Sequence, residues 1–260
     1  MIRVGVIGHG FIGAELVRRL LAARDLGLEA AFVHVRGVTV GVPAALLLRD
    51  LDDLERSGAD LVVEAAHPDL TRTYGARILG AADYMPLSVT ALADDSLRGT
   101  LDRAATASGK RLLLPHGALV GAGSLAEWRD QWRSVTFRME KPVTSLDLTA
   151  AGLDGADITT RTVLHDGSVR SIAARFPRNV NSMVTGALSS IGLDRARGVL
   201  IADPARTELR LTIDARGRDG SRLRITRRQP ATGVSGSEMA ESAWASVVTA
   251  AGRQPTWSVV

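Results

Sequence analysis

The 260-residue chain contains no cysteine. Disulfides, a thiolate nucleophile and a cysteine-ligated metal are therefore excluded, and a metal site would have to be built from histidine and carboxylates. Histidine is scarce too, at five residues, and neither these nor the acids fall at a ligand spacing such as H-E-x-x-H. No metal site is expected. Lysine is confined to Lys110 and Lys141, every other basic side chain being arginine. Arginine keeps its charge to very high pH, which explains a pI near 10.2 beside a net charge of only +4. The densest basic run, Arg216, Arg218, Arg222, Arg224, Arg227 and Arg228, alternates as the solvated face of strands does. No aromatic residues interleave to stack on bases, so nucleic acid is not an expected partner. No apolar run reaches the length of a membrane span, and an apolar strand at the very start leaves no room for a signal peptide. The expectation is a cytoplasmic chain without a membrane partner.

What is present is ordinary for a globular protein: 45% apolar and 23% charged residues, enough to bury a sizeable core in one large or two modest domains. The first 22 residues carry the strongest signal. Ile2 to Ile7 reads as a strand, Gly8, Gly10 and Gly13 punctuate a turn, and an apolar-periodic helix follows from Phe11. This is the strand, turn and helix of a Rossmann dinucleotide fingerprint. Gly8 permits the tight turn, Gly10 lets backbone approach a pyrophosphate, and Gly13 lets helix and strand pack closely. The free amides of Phe11, Ile12 and Gly13 at the helix start attract the anion.

Leu28 to Val35 reads as the second strand. At its end, where NAD-binding folds place an acid for the ribose hydroxyls, stand His34 and Arg36. A cation there suits a 2′-phosphate, which tilts the cofactor toward NADP over NAD. The alternative is that both side chains simply face solvent. Leu46 to Ser57 has the pattern of an amphipathic helix, and Asp60 to Ala65 is a continuous apolar run typical of a parallel strand covered on both faces. Ligands bind beyond the carboxyl ends of such strands, which places Ala65, Ala66 and His67 at the cofactor. Pro68 opens a helix to about Leu79. Tyr84 to Ser88 and Arg111 to Pro115 read as further strands, with a helix over Asp94 to Gly109 between them. The alternation predicts an α/β fold with a doubly wound parallel sheet.

Pro115 to Leu125 is a glycine-rich loop expected to face the reacting end of the cofactor, leading into a helix through Trp132. From Val135 the pattern changes to period two, with turn signals at His165-Asp166-Gly167 and Arg218-Asp219-Gly220. That predicts a second, α+β domain on a largely antiparallel sheet with one exposed face. A helix over Asn179 to Leu193 interrupts it, and a last helix, Ser237 to Ala251, is expected to return to the first domain. The expected division is 1–118, 119–234 and 235–260.

Six stretches in order resemble the L-aspartate dehydrogenase family: Gly8-His9-Gly10-Phe11-Ile12-Gly13, Val63-Glu64-Ala65-Ala66-His67-Pro68, Ser88-Val89-Thr90-Ala91-Leu92-Ala93-Asp94, Gly117-Ala118-Leu119-Val120-Gly121, Phe176-Pro177-Arg178-Asn179-Val180-Asn181 and Ala202-Asp203-Pro204. The resemblance implies hydride transfer at nicotinamide between an amino acid such as aspartate and its imine. It also implies a homodimer, with the exposed antiparallel sheet as its contact. It lays Ala65, Ala66, His67, Thr90 and Ala118 along the cofactor, with Asn179 or Asn181 bonding the nicotinamide or substrate. The plain alternative for an asparagine pair at a helix start is N-capping.

The departures matter as much. The family carries Asn-x-His shortly after A-D-P, the histidine being its proposed catalytic acid or base, whereas Leu209 and Leu211 stand at those positions here. Gly123 replaces the family's Asp in the glycine loop. Leucine cannot transfer a proton. His116 is the first replacement candidate by position and His67 the second; the alternatives are that His116 only caps the next helix and that His67 only touches the ribose. A dicarboxylate would need charge-assisted partners, for which Arg178 and Lys141 stand out unless they are surface charges. Two other readings stay open: a divergent imine or oxo-acid reductase acting on a less polar substrate, and an NAD(P)-binding protein without turnover.

Overall fold

The computed structural model describes residues 1–37, 41–117, 119–232, 235–236 and 238–252. In chain order the elements are β1 (Ile2–Ile7), α1 (Phe11–Ala22), β2 (Leu28–His34), β3 (Leu61–Glu64), α2 (Pro68–Ala81), β4 (Asp83–Pro86), α3 (Asp95–Ser108), α4 (Ala122–Glu127), β5 (Trp132–Lys141), β6 (Thr162–Ser168), α5 (Val169–Arg175), α6 (Asn181–Leu188), β7 (Arg197–Ala202), β8 (Glu208–Gly217), β9 (Arg222–Thr232), β10 (Ser235–Gly236) and α7 (Met239–Ala250). They form two compact units, 1–115 with 240–260, and 116–239. No helix among the described residues is long and apolar enough to cross a membrane.

The first unit is built on a parallel sheet ordered β2-β1-β3-β4. The chain leaves β1 toward one edge and returns through β3 toward the other, so the strand order reverses between β1 and β3. This is the doubly wound arrangement that the alternation of strand and helix predicted. Val4, Val6, Leu61 and Val63 pack with Leu16, Val17 and Leu20 of α1, and Ala243 and Val247 of α7 are buried in the same cluster. Arg19 joins the two helices, donating to Glu15 and to Glu241.

Two expectations for this unit need correction. The segment 111–115 is no full strand: Leu112 makes a single parallel bridge to Tyr84. β4 spans only four residues, and the Asp83 carboxylate binds both the backbone and the guanidinium of Arg111 at the sheet edge. Leu46 to Ser57 is not an α-helix either, but two 3₁₀ turns, Ala44–Leu46 and Leu51–Ser57. Its buried pair, Leu51 and Leu54, is spaced by three, the repeat that eclipses in a 3₁₀ helix. Gly58, left-handed at φ 63°, ends the segment.

The second unit carries a sheet ordered β10-β9-β8-β5-β7-β6, antiparallel except for the β5–β7 pair. One face holds the core: Val135, Phe137, Leu200, Ile213 and Ala215 are all buried. The alternate residues of β9, Arg222, Arg224, Thr226 and Arg228, are exposed. The His165-Asp166-Gly167 segment is not a turn. β6 runs through it, with a register shift between Val163 and His165, and leads straight into α5 because the Ser168 side chain caps that helix. The helix expected through Trp132 ends at Glu127, and Trp132 begins β5. The one expected over Asn179 to Leu193 is only Asn181–Leu188. Its end is closed by Gly192, at φ 88°, whose N–H donates to Ala187.

Candidate functional site

The turn between β1 and α1 is shaped by what its glycines exclude. Gly8 lies at φ 100°, and a Cβ there would stand 2.7 Å from the Ala65 carbonyl oxygen. A Cβ on Gly13 would stand 2.1 Å from the Gly8 carbonyl oxygen. Gly10 differs: a Cβ would meet nothing within 4 Å. Gly10 is also the N-cap of α1, which has no side-chain cap and no acidic residue in its first turn. An uncapped helix start with open space above its cap is what a phosphate group occupies, so these residues fit a dinucleotide. Ile12 is half-buried, and Phe11 is 55% exposed at the same edge.

The loops beyond β3 and β4 are held by a residue that the sequence reading passed over. Glu64, fully buried at the end of β3, accepts from the backbone N–H groups of Ala66 at 2.6 Å, His67 at 2.7 Å and Ser88 at 3.1 Å, and from the Ser88 hydroxyl at 3.0 Å. Burial pushes its carboxyl above the ordinary value, against the pull of these four bonds. One carboxylate thereby fixes the Ala65-Ala66-His67 loop and the loop that leads to Thr90, itself buried. The signal was legible: an acid closing the apolar run Leu61-Val62-Val63 cannot be a solvated residue.

His67 caps α2, its Nδ1 accepting from the Asp69 N–H. His34 Nδ1 lies 2.9 Å from the Leu48 carbonyl. A carbonyl only accepts, so Nδ1 carries the proton and Nε2 is the ring's remaining group. Arg36 is exposed. Ala118 lies outside the described residues.

In the second unit, His116 is exposed. It does not cap the next helix, since α4 starts from Gly121 without a side-chain cap. Gly121 sits at φ 84°, a left-handed conformation that favours glycine. The asparagine pair is not an N-cap: the cap of α6 is Val180, and Asn181 is the first helical residue. Asn179 is buried and grips the chain at Asp147, accepting from its N–H at 2.9 Å and donating to its carbonyl at 2.6 Å. Arg178 is committed to the Asp147 carboxylate at 2.9 Å. Burial alone would raise that carboxyl, but bonds from Thr149 and Arg178 hold it below its ordinary value.

Leu209 and Leu211 are buried on the inner face of the sheet. Lys141 is no surface charge, being 4% exposed at the end of β5. On the opposite face Glu140, also buried, is approached by Arg206, Arg161 and Arg210 at 3.2 to 3.9 Å.

A doubly wound sheet with a glycine turn that fits a phosphate, followed by a second unit on a mixed sheet, defines a chain of the dinucleotide-binding class. Residues 124–251 match the family model described as aspartate dehydrogenase, C-terminal, and residues 8–115 that of the homoserine dehydrogenase NAD binding domain. An aspartate dehydrogenase domain-containing protein of Danio rerio is 32% identical over 263 residues, covering 96% of this chain and 95% of its own length. An L-aspartate dehydrogenase of Brucella anthropi is 37% identical over 245 residues, covering 90% of each. The chain belongs to the aspartate dehydrogenase family. Its fold is that of the Thermotoga maritima aspartate dehydrogenase crystal structure, at a TM-score of 0.75 and 23% identity over the whole of both chains.

Proposed function

We propose that the protein is an NAD(P)-dependent dehydrogenase acting on the CH–NH₂ carbon of an amino acid such as aspartate. The observation that carries this is the uncapped start of α1 over the open space at Gly10, set beside relatives named L-aspartate dehydrogenase. The nicotinamide group, when bound, exchanges a hydride with the substrate carbon. The chain's own residues do the rest. Phe11, Ile12 and Gly13 offer amides to the pyrophosphate, and Ala65, Ala66, His67 and Thr90 line the nucleotide on loops fixed by Glu64. Arg36 and His34 favour the 2′-phosphate of NADP over NAD. Asn179, holding Asp147, and Asn181 at the start of α6 support the reacting end. His116, exposed on its loop, exchanges protons with solvent. The protein works as a homodimer through the exposed side of β9.

The buried Leu209 and Leu211 favour a second reading within the same chemistry, an imine or oxo-acid reductase on a less polar substrate. The deciding experiment follows NADPH and NADH separately at 340 nm, with oxaloacetate plus ammonia and then a panel of 2-oxo acids and cyclic imines. Turnover with oxaloacetate, faster with NADPH, is expected. Turnover only with an apolar oxo acid or imine would select the second reading, and cofactor binding without turnover would overturn both. His116→Ala should lower kcat with little change in cofactor affinity; an equal loss of both would remove His116 from the chemistry.

A further inference from the structure

The inner face of the second sheet carries polar groups that packing alone does not explain. Lys141 ends β5 beside Ala202 of β7. Next to it in the chain Glu140 pairs with Arg210, so alternation along the strands turns Lys141 to the same side as Leu209 and Leu211. Across the following ladder Leu209 faces Gln229 and Leu211 faces Arg227. Gln229 donates to Glu238 Oε1 at 2.6 Å, while Gln229 Oε1 and Glu238 Oε2 are buried without a partner. One end of this face thus gathers a buried amine, a half-buried guanidinium at Arg227 and two buried acceptor oxygens with bonding capacity to spare. An α-amino acid presents the complementary set, an ammonium donor and a carboxylate.

Burial lowers Lys141 from the ordinary lysine value to about 8, and the charge of Glu238 opposes this only in part. A lysine brought that close to neutrality is a competent base, and its place on this face among unsatisfied acceptors makes it a candidate functional group. The hydroxyl-free, thiol-free wall at Leu209 and Leu211 supplies no proton acceptor of its own.

Resting on the dehydrogenase reading above, we propose that Lys141 is the base that takes a proton from the ammonium group of the amino-acid substrate. Lys141 Nζ, as the neutral amine, removes one N–H proton. The nitrogen lone pair so freed forms the C=N bond while the C–H electron pair departs as hydride to the nicotinamide. Substrate is oxidised by two electrons to the iminium, the cofactor is reduced, and Lys141 is left protonated. In the reductive direction Lys141 returns the proton to the newly formed amine.

The test uses Lys141→Arg and Lys141→Met in the full-length chain. Arginine keeps the charge that would anchor a carboxylate but cannot give up a proton at working pH. Both variants should lose roughly 10²- to 10⁴-fold in kcat, the usual weight of general acid–base catalysis, with cofactor affinity unchanged. Wild-type kcat should rise through a limb near pH 8 that both variants lack. A Lys141→Arg enzyme with wild-type kcat would reduce Lys141 to a charge and overturn the proposal, whereas a wild-type protein that turns over no amino acid would overturn the functional reading and this role with it. A second readout needs no activity. With only two lysines in the chain, ¹³Cε-lysine labelling gives two side-chain signals, which Lys110→Arg assigns. Lys141 should titrate near pH 8, and titration near the ordinary lysine value would sink the assignment. The same shift means that between about pH 8 and 10.5 the folded chain holds fewer protons than the unfolded one, so its stability rises with pH across that window. Lys141→Met should abolish the rise and be the more stable protein below it.

Discussion

At the scale of single residues, two buried charges set the terms of the candidate site. Glu64 is surrounded by donors and serves as a clamp; burial brings Lys141 toward neutrality, and the charge of Glu238 opposes this only in part. Both look alike in a composition table, and only Glu64 announced itself in the chain, as an acid ending an apolar strand. The glycines divide in the same way between structure and function. Gly13→Ala should be destabilised, because its methyl would lie 2.1 Å from a backbone oxygen and neither helix nor strand can yield without loss of packing. Gly10→Ala should keep the wild-type melting temperature, since its φ of −80° suits alanine and the methyl enters open space. It should nevertheless weaken NADPH binding by tenfold or more, measured by fluorescence titration. Equal losses of stability in the two variants would mean that Gly10 serves the fold and not the phosphate.

At the scale of elements, periodicity predicted most strands and helices and failed where a side chain took over a backbone partner. The stretch Ser145 to Ala150 alternates like a strand, yet it forms turns, because the Asn179 amide supplies Asp147 with the two bonds that a neighbouring strand would have given. His165-Asp166-Gly167 has the composition of a hairpin turn, but the Asp166 carboxylate pairs with Arg197 on β7, and the strand continues to the Ser168 cap. Asn179→Ala should therefore free the loop around Asp147 by removing the two bonds to its part-buried backbone, at about 0.5 to 1.5 kcal/mol each. Hydrogen exchange should show the Asp147 amide losing protection while the β5 and β8 amides keep theirs. Unchanged protection at Asp147 would show that another group holds the loop.

At the scale of the whole molecule, the chain divides charge unevenly between the two faces of its second sheet. Arg222, Arg224 and Arg228 line the exposed side of β9, with Asp214 3.5 Å from Arg224. Interspersed charge of this kind keeps a broad sheet from indiscriminate pairing while still allowing a symmetric contact. The proposed homodimer should run near 55 kDa by light scattering, roughly twice the 27.5 kDa chain, and a double substitution of Arg224 and Arg228 to glutamate should shift it toward monomer. A wild-type monomer at micromolar concentration would dismiss this interface.

The amino-acid sequence by itself determined the doubly wound first sheet, the mostly antiparallel second one and the phosphate turn. Each rests on periodicity or on glycine sterics, which act between residues close in the chain. The tertiary structure decided the rest. That Glu64 clamps Ser88, that Asn179 holds Asp147 and that Lys141 is buried near Glu238 depend on partners 24, 32 and nearly a hundred residues away. Desolvation, which sets the charge of Lys141, is a property of the packed interior and has no local signature in the chain.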